Sequence, residues 1–371
     1  MKLLINISNN IGGGSFQVAH SFVQECKNYL ENNYIVAVNS KVYNLFDVAL
    51  FPANFRFICI KNRFFFTLAR RMKKVEKRFA PDVVFTVFGP SYWRSKSPQV
   101  IGFANPYYLL INEKIVGVLK KVFSKKEYFA ILIKKILHTF YMNRDADVLI
   151  AETQYAMSEF LKIFKKVKKG YTVSNTCSSF FDFPIVRQRH KNFTLLTVCK
   201  YYKHKNLEII NAVTKKLSEK NVYDISFIVT LDDENFERLF KDNPYVINAG
   251  YTSPKDCPTL YAMADAMFLP TLAECFSASY PEAMKSGVPI LTSDFKFAHS
   301  VCNNAALYFD PFNEKEITDK ILALKTDETL YETLVHNGKK RLKDFSTAKN
   351  RCEEYLKICQ EAMGYSSEHK K

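Results

Sequence analysis

The chain has 371 residues, of which 47% are hydrophobic and 24% are charged, and it carries a formal net charge of +16. Two domains are expected at this length, and the ordinary composition excludes a disordered or low-complexity protein. The positive charge favours a negatively charged partner, such as nucleic acid, anionic lipid or a phosphorylated small molecule, unless it serves only as a solvated surface.

Nine cysteines are scattered along the chain without a C-x-x-C pair. This spacing excludes a zinc ribbon or a thioredoxin-type motif, and it is typical of proteins in a reducing cytoplasm. The first ten residues contain only a short apolar run, so they are predicted to form a first strand rather than a signal peptide. No run of about 18 apolar residues occurs, so no transmembrane helix is expected.

Short apolar runs alternate with helical patterns through the first half of the chain. The runs predict buried strands at Leu3–Ser8, Tyr34–Val38, Phe55–Ile60, Asp82–Val87, Val100–Phe103 and Val148–Ala151. Helices are predicted at Ser15–Tyr29 and, with many basic residues, at Arg63–Phe79. Continuous apolar strands separated by helices favour a parallel sheet that is covered on both faces.

The pattern pauses between residues 176 and 191, which we interpret as a connection between domains. Strands are then predicted at Leu195–Val198, Ile225–Val229, Tyr245–Ile247, Ala266–Leu269 and Pro289–Leu291. Further helices are predicted at Leu207–Leu217, Ala278–Lys285, Glu314–Leu324, Leu330–Leu342 and Thr347–Ala362. The sequence therefore predicts an α/β protein of two doubly wound, Rossmann-like domains that face a central cleft, with ligands beyond the carboxyl ends of the strands.

Three glycines, Gly12 to Gly14, separate the first predicted strand from the first predicted helix. Glycine at such a position lets the backbone approach a ligand, and the N-terminus of a helix favours an anion. The segment lacks the G-x-G-x-x-G spacing of a dinucleotide site, so a plain strand-to-helix turn is an equal alternative.

Three lysines, Lys200, Lys203 and Lys205, follow the first strand of the second half. Several cations at the end of a strand are costly without a negative partner, and a diphosphate would neutralise them through charge-assisted hydrogen bonds. Taken alone, the segment is more typical of a solvated, lysine-rich loop.

Two glutamates, Glu274 and Glu282, lie eight residues apart around a predicted loop-to-helix junction. Glu274 is predicted in the loop after the strand that ends at Leu269, and Glu282 in the helix that follows. Ser277 is predicted to cap this helix and to leave backbone N–H groups free for phosphate oxygens. Gly287 is predicted to end the helix.

The paired glutamates resemble the E-x7-E motif of retaining glycosyltransferases of family 4, the glycosyl transferases group 1, which have the GT-B fold. The resemblance extends in chain order through the glycine loop and the segments A-D-V-L-I-A-E-T, V-C-K-Y-Y-K-H-K-N-L and A-A-L-Y-F-D-P. It implies an acceptor-side domain at residues 1–178, a donor domain at 179–346, a helix of residues 347–363 that packs back on the first domain, and a flexible tail at 364–371.

The resemblance also implies roles for individual residues. Glu282 would accept hydrogen bonds from the ribose hydroxyls of a nucleotide, and Glu274 would hold the donor sugar near its 3- and 4-hydroxyls. Lys200 and Lys205 would stabilise the charge that develops on the leaving diphosphate. The further donor-side positions are Gly13, Gly14, Phe276, Ser277 and Ala278.

The sequence departs from the family pattern at three places. Lys200 stands where the family usually has arginine, and lysine lacks the bidentate guanidinium fork. Cys275 and Ser277 replace the two glycines of the common E-G-F-G pattern. Many relatives carry a histidine near the acceptor, and this chain has none in the corresponding stretch, where Asn105 and Tyr107 are the acceptor-side candidates.

The resemblance implies a hexosyltransferase-type reaction with retention of configuration and without a required metal ion. The donor would be a UDP- or GDP-sugar, and the acceptor a glycan or a polyprenyl-linked sugar of a bacterial surface polysaccharide such as O-antigen or capsule. Asp232, Asp233 and Glu234 follow a strand, but they are more typical of a helix start than of a D-x-D metal motif.

Two stretches in the first half, Lys61–Lys74 and Lys114–Arg144, are both basic and apolar. Such patterns are typical of interfacial helices that bind anionic lipid, and equally of core-facing helices with a solvated lysine face. Peripheral association of a cytoplasmic protein with the inner face of the plasma membrane is therefore a hypothesis.

Three alternatives stay open on the sequence. A sugar-nucleotide epimerase of the GT-B type would need a set of acid and base residues that the sequence does not offer. A nucleic-acid-binding protein would use the positive charge, but no recognisable binding motif is present, and a site with paired glutamates would repel a phosphate backbone. An inactive adaptor is disfavoured by the two retained glutamates.

Overall fold

The computed structural model describes residues 1–61, 65–112, 122–183, 185–187 and 191–364, without the side chains of residues 65 and 110–112. The described residues form two compact units. Unit 1 takes those within Met1–Lys114, Ser124–Asn175 and Ser346–Lys371, and unit 2 takes those within Thr176–Phe345 and Ile115–Phe123. Residues 62–64, 113–121 and 365–371, which include parts of both basic stretches and of the predicted tail, lie outside the described residues.

Unit 1 contains a seven-stranded parallel sheet. The strands are β1 (Lys2–Ile7), β2 (Asn33–Asn39), β3 (Phe55–Ile60), β4 (Val83–Thr86), β5 (Gln99–Gly102), β6 (Val148–Ala151) and β7 (Lys169–Thr172). Their spatial order is β3-β2-β1-β4-β5-β6-β7. Every residue of β4, β5 and β6 is buried, as expected for the central strands of a parallel sheet that is covered on both faces.

The helices of unit 1 follow these strands along the chain. They are α1 (Gly13–Glu25), α2 (Phe65–Phe79), α3 (Tyr107–Asn112), α4 (Lys125–Asp145) and α5 (Gln154–Ile163). The amphipathic pattern of α1 explains its position, because Phe16, Val18, Ala19, Phe22 and Val23 are buried in the core, whereas Gly13, Gly14 and Gln17 on the other side of the helix are exposed.

Unit 2 contains a six-stranded parallel sheet in the order β10-β9-β8-β11-β12-β13. The strands are β8 (Phe193–Thr197), β9 (Ile225–Val229), β10 (Val246–Asn248), β11 (Ala266–Leu269), β12 (Ile290–Ser293) and β13 (Ala306–Phe309). The helices are α6 (Ile209–Glu219), α7 (Asp233–Phe240), α8 (Cys257–Met263), α9 (Ser279–Ser286), α10 (Lys296–Cys302), α11 (Glu314–Thr326) and α12 (Glu328–Leu342).

The last described helix, α13 (Ala348–Met363), belongs to unit 1 although it follows unit 2 in the chain. Its Tyr355 ring packs edge-on against Phe22 of α1 and Phe85 of β4, with ring centroids 5.3 and 5.0 Å away. Burial of this aromatic cluster fixes the end of the chain on unit 1. None of the described helices has the length and apolar character needed to cross a bilayer.

Both sheets reverse their strand order beside their first strand, between β1 and β4 in unit 1 and between β8 and β11 in unit 2. Ligands of doubly wound sheets bind at such switch points, beyond the carboxyl ends of the strands. The predicted fold class, α/β with two Rossmann-like sheets, is confirmed.

Some predicted elements were wrong in detail. The first helix was predicted to reach Tyr29, but it ends at Glu25 and a short 3-10 turn, Cys26–Asn28, follows. The strands β7 and β13 were not predicted. β7 reads K-G-Y-T and has no apolar run, because it lies at an edge of its sheet, where burial is incomplete.

Candidate functional site

The loops after β8 and β11 lie side by side at the switch point of unit 2. The backbone N–H of Leu272 donates to the carbonyl oxygen of His204 over 2.7 Å, and the Thr271 hydroxyl lies 3.2 Å from the same oxygen. These bonds hold the lysine-rich segment against the first part of the paired-glutamate segment, as the strand order requires.

Lys205 and Glu274 form an ion pair across these two loops. The two side chains are 12% and 11% exposed, and the Thr271 hydroxyl lies 3.2 Å from the same Glu274 carboxylate oxygen. Burial by itself lowers the pKa of Lys205, but the Glu274 carboxylate outweighs it, so the pKa lies above its ordinary value. Lys205 is therefore charged at neutral pH, in a pair that excludes most solvent.

A thiol lies next to this ion pair. Burial raises the pKa of Cys199 to about 11, with the Lys205 charge acting against the rise and the Glu274 charge adding to it. The Cys199 N–H donates to the Thr230 hydroxyl at 3.0 Å, which fixes the backbone after β8. A neutral thiol of this kind is a packing group rather than a nucleophile.

Glu282 is the fourth residue of α9 and is half-buried. The hydroxyl of Tyr261, a fully buried residue of α8, lies 3.3 Å from a Glu282 carboxylate oxygen and 3.2 Å from the Ser279 carbonyl oxygen. Burial raises the pKa of Glu282 to about 7, and the Tyr261 hydrogen bond opposes the rise. The carboxyl is therefore poised between its two protonation states at neutral pH, and a ligand that donates hydroxyl hydrogen bonds favours the carboxylate.

The start of α9 differs from the prediction that Ser277 caps it. Ala278 already has helical backbone angles and occupies the cap position, and no side chain caps the helix. Ser277 contributes its carbonyl oxygen instead, which accepts a bond from the Tyr280 N–H at 3.1 Å. The prediction failed because the Tyr280 N–H bonds to the Ser277 carbonyl oxygen and not to its hydroxyl, and the helix starts at Ser279, one residue later than a Ser277 cap would place it.

The end of α9 agrees with the prediction. Gly287 has φ of +65° and donates its N–H to Ala283 and Met284. This left-handed conformation is the one that glycine adopts at little cost after a helix.

Lys200 does not join the buried pair. It lies exposed in the loop after β8, close enough to Asp232 for its charge to lower that carboxyl's pKa, although hydrogen bonds from Asn235 contribute more. Asp232 caps α7 by accepting the Asn235 N–H at 3.0 Å, so the predicted helix start is confirmed. Among the described residues, no group of three or more His, Cys, Asp or Glu side chains is arranged to hold a metal ion.

The residues between the two glutamates are packed inward. Cys275, Phe276 and Ser277 are all buried, and the Phe276 ring meets Phe345 edge-on at 5.7 Å. Side chains therefore fill the two positions at which the family pattern has glycine.

Four further predicted positions, Gly13, Gly14, Asn105 and Tyr107, belong to unit 1. Gly13 has φ of +62°, whereas Gly14 does not, and a Cβ at either position would meet no heavy atom within 4 Å. Asn105 accepts the Tyr107 N–H at 3.1 Å and so shapes the turn into α3. The structure thus places Lys205, Glu274 and Glu282 in unit 2 and the other four predicted positions in unit 1.

Sequence reasoning missed Tyr261 and Thr271. Each supports one of the two glutamates, yet Tyr261 lies 21 positions before Glu282. No spacing rule links a tyrosine on α8 to a glutamate on α9, so only the packed structure reveals the contact.

Comparison with known proteins bears on this site. Residues 179–341 match the family model described as "Glycosyl transferases group 1". The chain is similar to O-antigen chain mannosyltransferase B of Escherichia coli, at 33% identity over 97 residues that cover 26% of each protein. It is also similar to O-antigen chain mannosyltransferase RfbU of Salmonella typhimurium, at 25% identity over 205 residues that cover 52% of this chain and 53% of that protein. The matches thus span about a quarter and about half of these relatives.

Two solved structures are similar in fold to this chain over nearly its whole length. Anabaena Alr3699/HepE in complex with UDP and glucose has a TM-score of 0.71 and 14% identity, with 97% of this chain and 100% of that chain covered. WaaG, a glycosyltransferase involved in lipopolysaccharide biosynthesis, has a TM-score of 0.70 and 16% identity, with 97% and 99% covered. At these identities the likeness establishes a shared fold.

Proposed function

We propose that the protein is a glycosyltransferase, because residues 179–341 match the family model of the glycosyl transferases group 1 and the chain has the GT-B fold. It transfers a sugar from a nucleoside-diphosphate sugar to a glycan or lipid-linked acceptor. The observation that carries the proposal is the arrangement at the switch point of unit 2. The buried Lys205–Glu274 pair joins the loops after β8 and β11, and the half-buried Glu282 lies in the helix that follows β11.

The nucleotide is proposed to bind through Glu282. Its carboxylate accepts hydrogen bonds from the two ribose hydroxyls. These bonds take the place of the hydrogen bonds to water that the carboxylate loses on burial. Tyr261 fixes the side chain by donating to one carboxylate oxygen at 3.3 Å. HepE was solved with UDP and with UDP-glucose, and we propose a UDP- or GDP-sugar as the donor here.

The sugar and diphosphate are proposed to lie between Glu274 and Lys200. Glu274 is held by Lys205 and Thr271, so one of its oxygens is already occupied and the other accepts from sugar hydroxyls. Lys200 is exposed and supplies a positive charge for the phosphates. The backbone at Phe276, Ser277 and Ala278 lines the start of α9. The donor-side roles of Gly13 and Gly14 and the acceptor-side roles of Asn105 and Tyr107 stay predictions.

We propose transfer with retention of configuration and without a metal ion. The bond between C1 of the sugar and the phosphate oxygen breaks, and the diphosphate leaves with the electron pair. The acceptor oxygen bonds to C1 on the same face, and the leaving phosphate takes the acceptor proton. The protein lowers the barrier by placing the Lys200 and Lys205 charges and the N-terminus of α9 near the developing negative charge.

The acceptor is proposed to be a growing surface polysaccharide such as an O-antigen, carried on a polyprenyl lipid in the cytoplasm at the inner face of the plasma membrane. Both curated relatives are named O-antigen chain mannosyltransferases, and WaaG is named for lipopolysaccharide biosynthesis. Nucleic acid is not a partner in this proposal.

The test is turnover of candidate donors, followed by ¹H NMR. Incubation with UDP- and GDP-sugars and a glycan acceptor should release one nucleoside diphosphate and give a glycoside with the anomeric configuration of the donor, unchanged by EDTA. Glu274→Gln should abolish turnover, whereas Glu219→Gln, at an exposed ion pair on α6, should not. Equal turnover by both variants would contradict the proposed site. A product with inverted configuration would contradict the proposed stereochemistry.

A further inference from the structure

Three buried thiols meet where the last described helix packs on unit 1. Cys26 lies in the short 3-10 turn after α1, and Cys352 and Cys359 lie on α13. All three residues are 0% exposed, and they belong to one hydrophobic cluster of the core. The Sγ atoms of Cys26 and Cys352 are 3.9 Å apart. The fold thus brings together thiols that are far apart in the sequence.

Geometry selects one pair among these three thiols. A disulfide requires Cα atoms roughly 4.4–6.8 Å apart. Cys352 and Cys359 lie seven residues apart on one helix, which separates their Cα atoms by about 10.5 Å along the axis, so they cannot bond to each other. A bridge within the group must therefore start from Cys26. Cys352 is the thiol with which Cys26 is already in contact.

The Cys26–Cys352 pair lies between two segments that are held together by packing. The chain runs through unit 2 over Thr176–Phe345 before it returns to unit 1, where the aromatic cluster around Tyr355 holds α13 in place. All nine cysteines are free in this structure. A disulfide between Cys26 and Cys352 would join residues 326 positions apart and would fix α13 covalently to the end of α1.

Burial decides when these thiols react. It raises the pKa of the Cys26 thiol, and the neighbouring Cys352 and Cys359 groups add to the rise. A neutral, buried thiol is unreactive, because oxidants attack the accessible thiolate. The pair is therefore protected while α13 is packed on α1, and it meets an oxidant when the helix separates transiently from unit 1. Single elements of folded proteins open in this way with less free energy than global unfolding requires.

We propose that Cys26 and Cys352 form a peroxide-sensitive modification site whose disulfide locks α13 to unit 1. Hydrogen peroxide transfers one oxygen atom to an exposed thiol, which gives a sulfenic acid and one water. When α13 packs back, the second thiol attacks the sulfenic sulfur, the S–S bond forms, and the sulfenic oxygen leaves as a second water. Two thiols are thus oxidised and one peroxide is reduced. This inference does not depend on the enzymatic activity, since it follows from unit 1 alone.

The test is treatment of the folded full chain with hydrogen peroxide, followed by alkylation of the remaining thiols and peptide mapping without reduction. Wild-type protein should give a cross-linked peptide that contains Cys26 and Cys352 and is two hydrogen atoms lighter than the sum of its parts. The whole chain should migrate faster in a non-reducing denaturing gel, and dithiothreitol should reverse both changes. Cys352→Ala should lose them. The matched control is Cys359→Ala, on the same helix and equally buried, which should keep them.

Thermal unfolding gives a second readout. The oxidised wild-type protein should unfold at a midpoint about 5 °C or more above that of the reduced protein, because the disulfide closes a long loop in the unfolded chain. A second variant, Cys26→Ala, should unfold cooperatively and show no such rise. A wild-type protein without the cross-link after peroxide treatment, a cross-link between other cysteines, or equal midpoints for the oxidised and reduced wild-type proteins would each overturn the proposal.

Discussion

Replacing Glu282 by glutamine should remove a pH-dependent destabilisation of the fold. The pKa of this carboxyl is raised by burial from 4.5 to about 7. The folded protein therefore keeps the proton between these values while the unfolded chain has released it. Because the folded state binds more protons, the contribution of Glu282 to stability is intact below about pH 4.5 and is lost as the pH rises towards 7.

The magnitude follows from the size of the shift. Each pKa unit corresponds to about 1.36 kcal/mol, so ionised Glu282 costs the folded protein about 3 kcal/mol near pH 8 and less than about 1 kcal/mol near pH 5. Glutamine has nearly the same shape and does not titrate. The stability of Glu282→Gln relative to the wild-type protein should thus increase by about 2–3 kcal/mol between these two conditions.

Urea denaturation of both proteins at the two pH values measures this difference, and groups that titrate equally in both cancel. Tyr261→Phe is a useful companion, because loss of the hydroxyl that lies 3.3 Å from the carboxylate should raise the pKa of Glu282 further and steepen the pH dependence. If wild-type and Glu282→Gln proteins show the same pH dependence, then burial does not set the state of this carboxyl and the reasoning fails.

Three other predictions concern unit 2. Lys205→Met should destabilise the protein by about 3–5 kcal/mol in urea denaturation, because it leaves Glu274 buried and unpaired. The double variant Lys205→Met with Glu274→Leu should recover much of that loss. Strictly additive effects of the two substitutions would refute the coupling. Gly287→Ala, at φ of +65°, should lower the free energy of unfolding by about 1 kcal/mol, measured by thermal unfolding, whereas Gly364→Ala, at φ of −65°, should change it little. Equal losses in the two variants would show that backbone conformation is not the cause. Asp232→Ala should lower the midpoint of thermal unfolding and Asp232→Asn should lower it much less, because asparagine also caps helices. A loss of donor turnover in Asp232→Asn would instead indicate a catalytic or metal-binding role.

Local signals explain what the sequence could predict. The buried strands β6 and β11 are continuous apolar runs, Gly287 follows an amphipathic stretch, and the spacing of Glu274 and Glu282 is itself a motif. Each of these features is contained within a few consecutive residues, where the repeats of helix and strand act directly.

Features that depend on distant segments could not be predicted. The Lys205–Glu274 pair joins residues 69 positions apart and exists because the strand order places β8 beside β11. The contrasting burial of α2 and α4 likewise depends on which helix face meets the core, although both stretches alternate lysine with apolar residues. Hydrophobic periodicity shows that a helix is amphipathic, but it does not show what covers its apolar face.

Binding of nucleoside diphosphates to the full chain tests the central claim most directly. Thermal unfolding with UDP, GDP and other nucleoside diphosphates should show stabilisation by one of them, of about 2.7 kcal/mol when that ligand is present at 100 times its Kd. Glu282→Ala should unfold cooperatively but lose this stabilisation. A cooperatively folded wild-type protein that none of these nucleotides stabilises would contradict the assignment of unit 2 as a nucleotide-sugar domain.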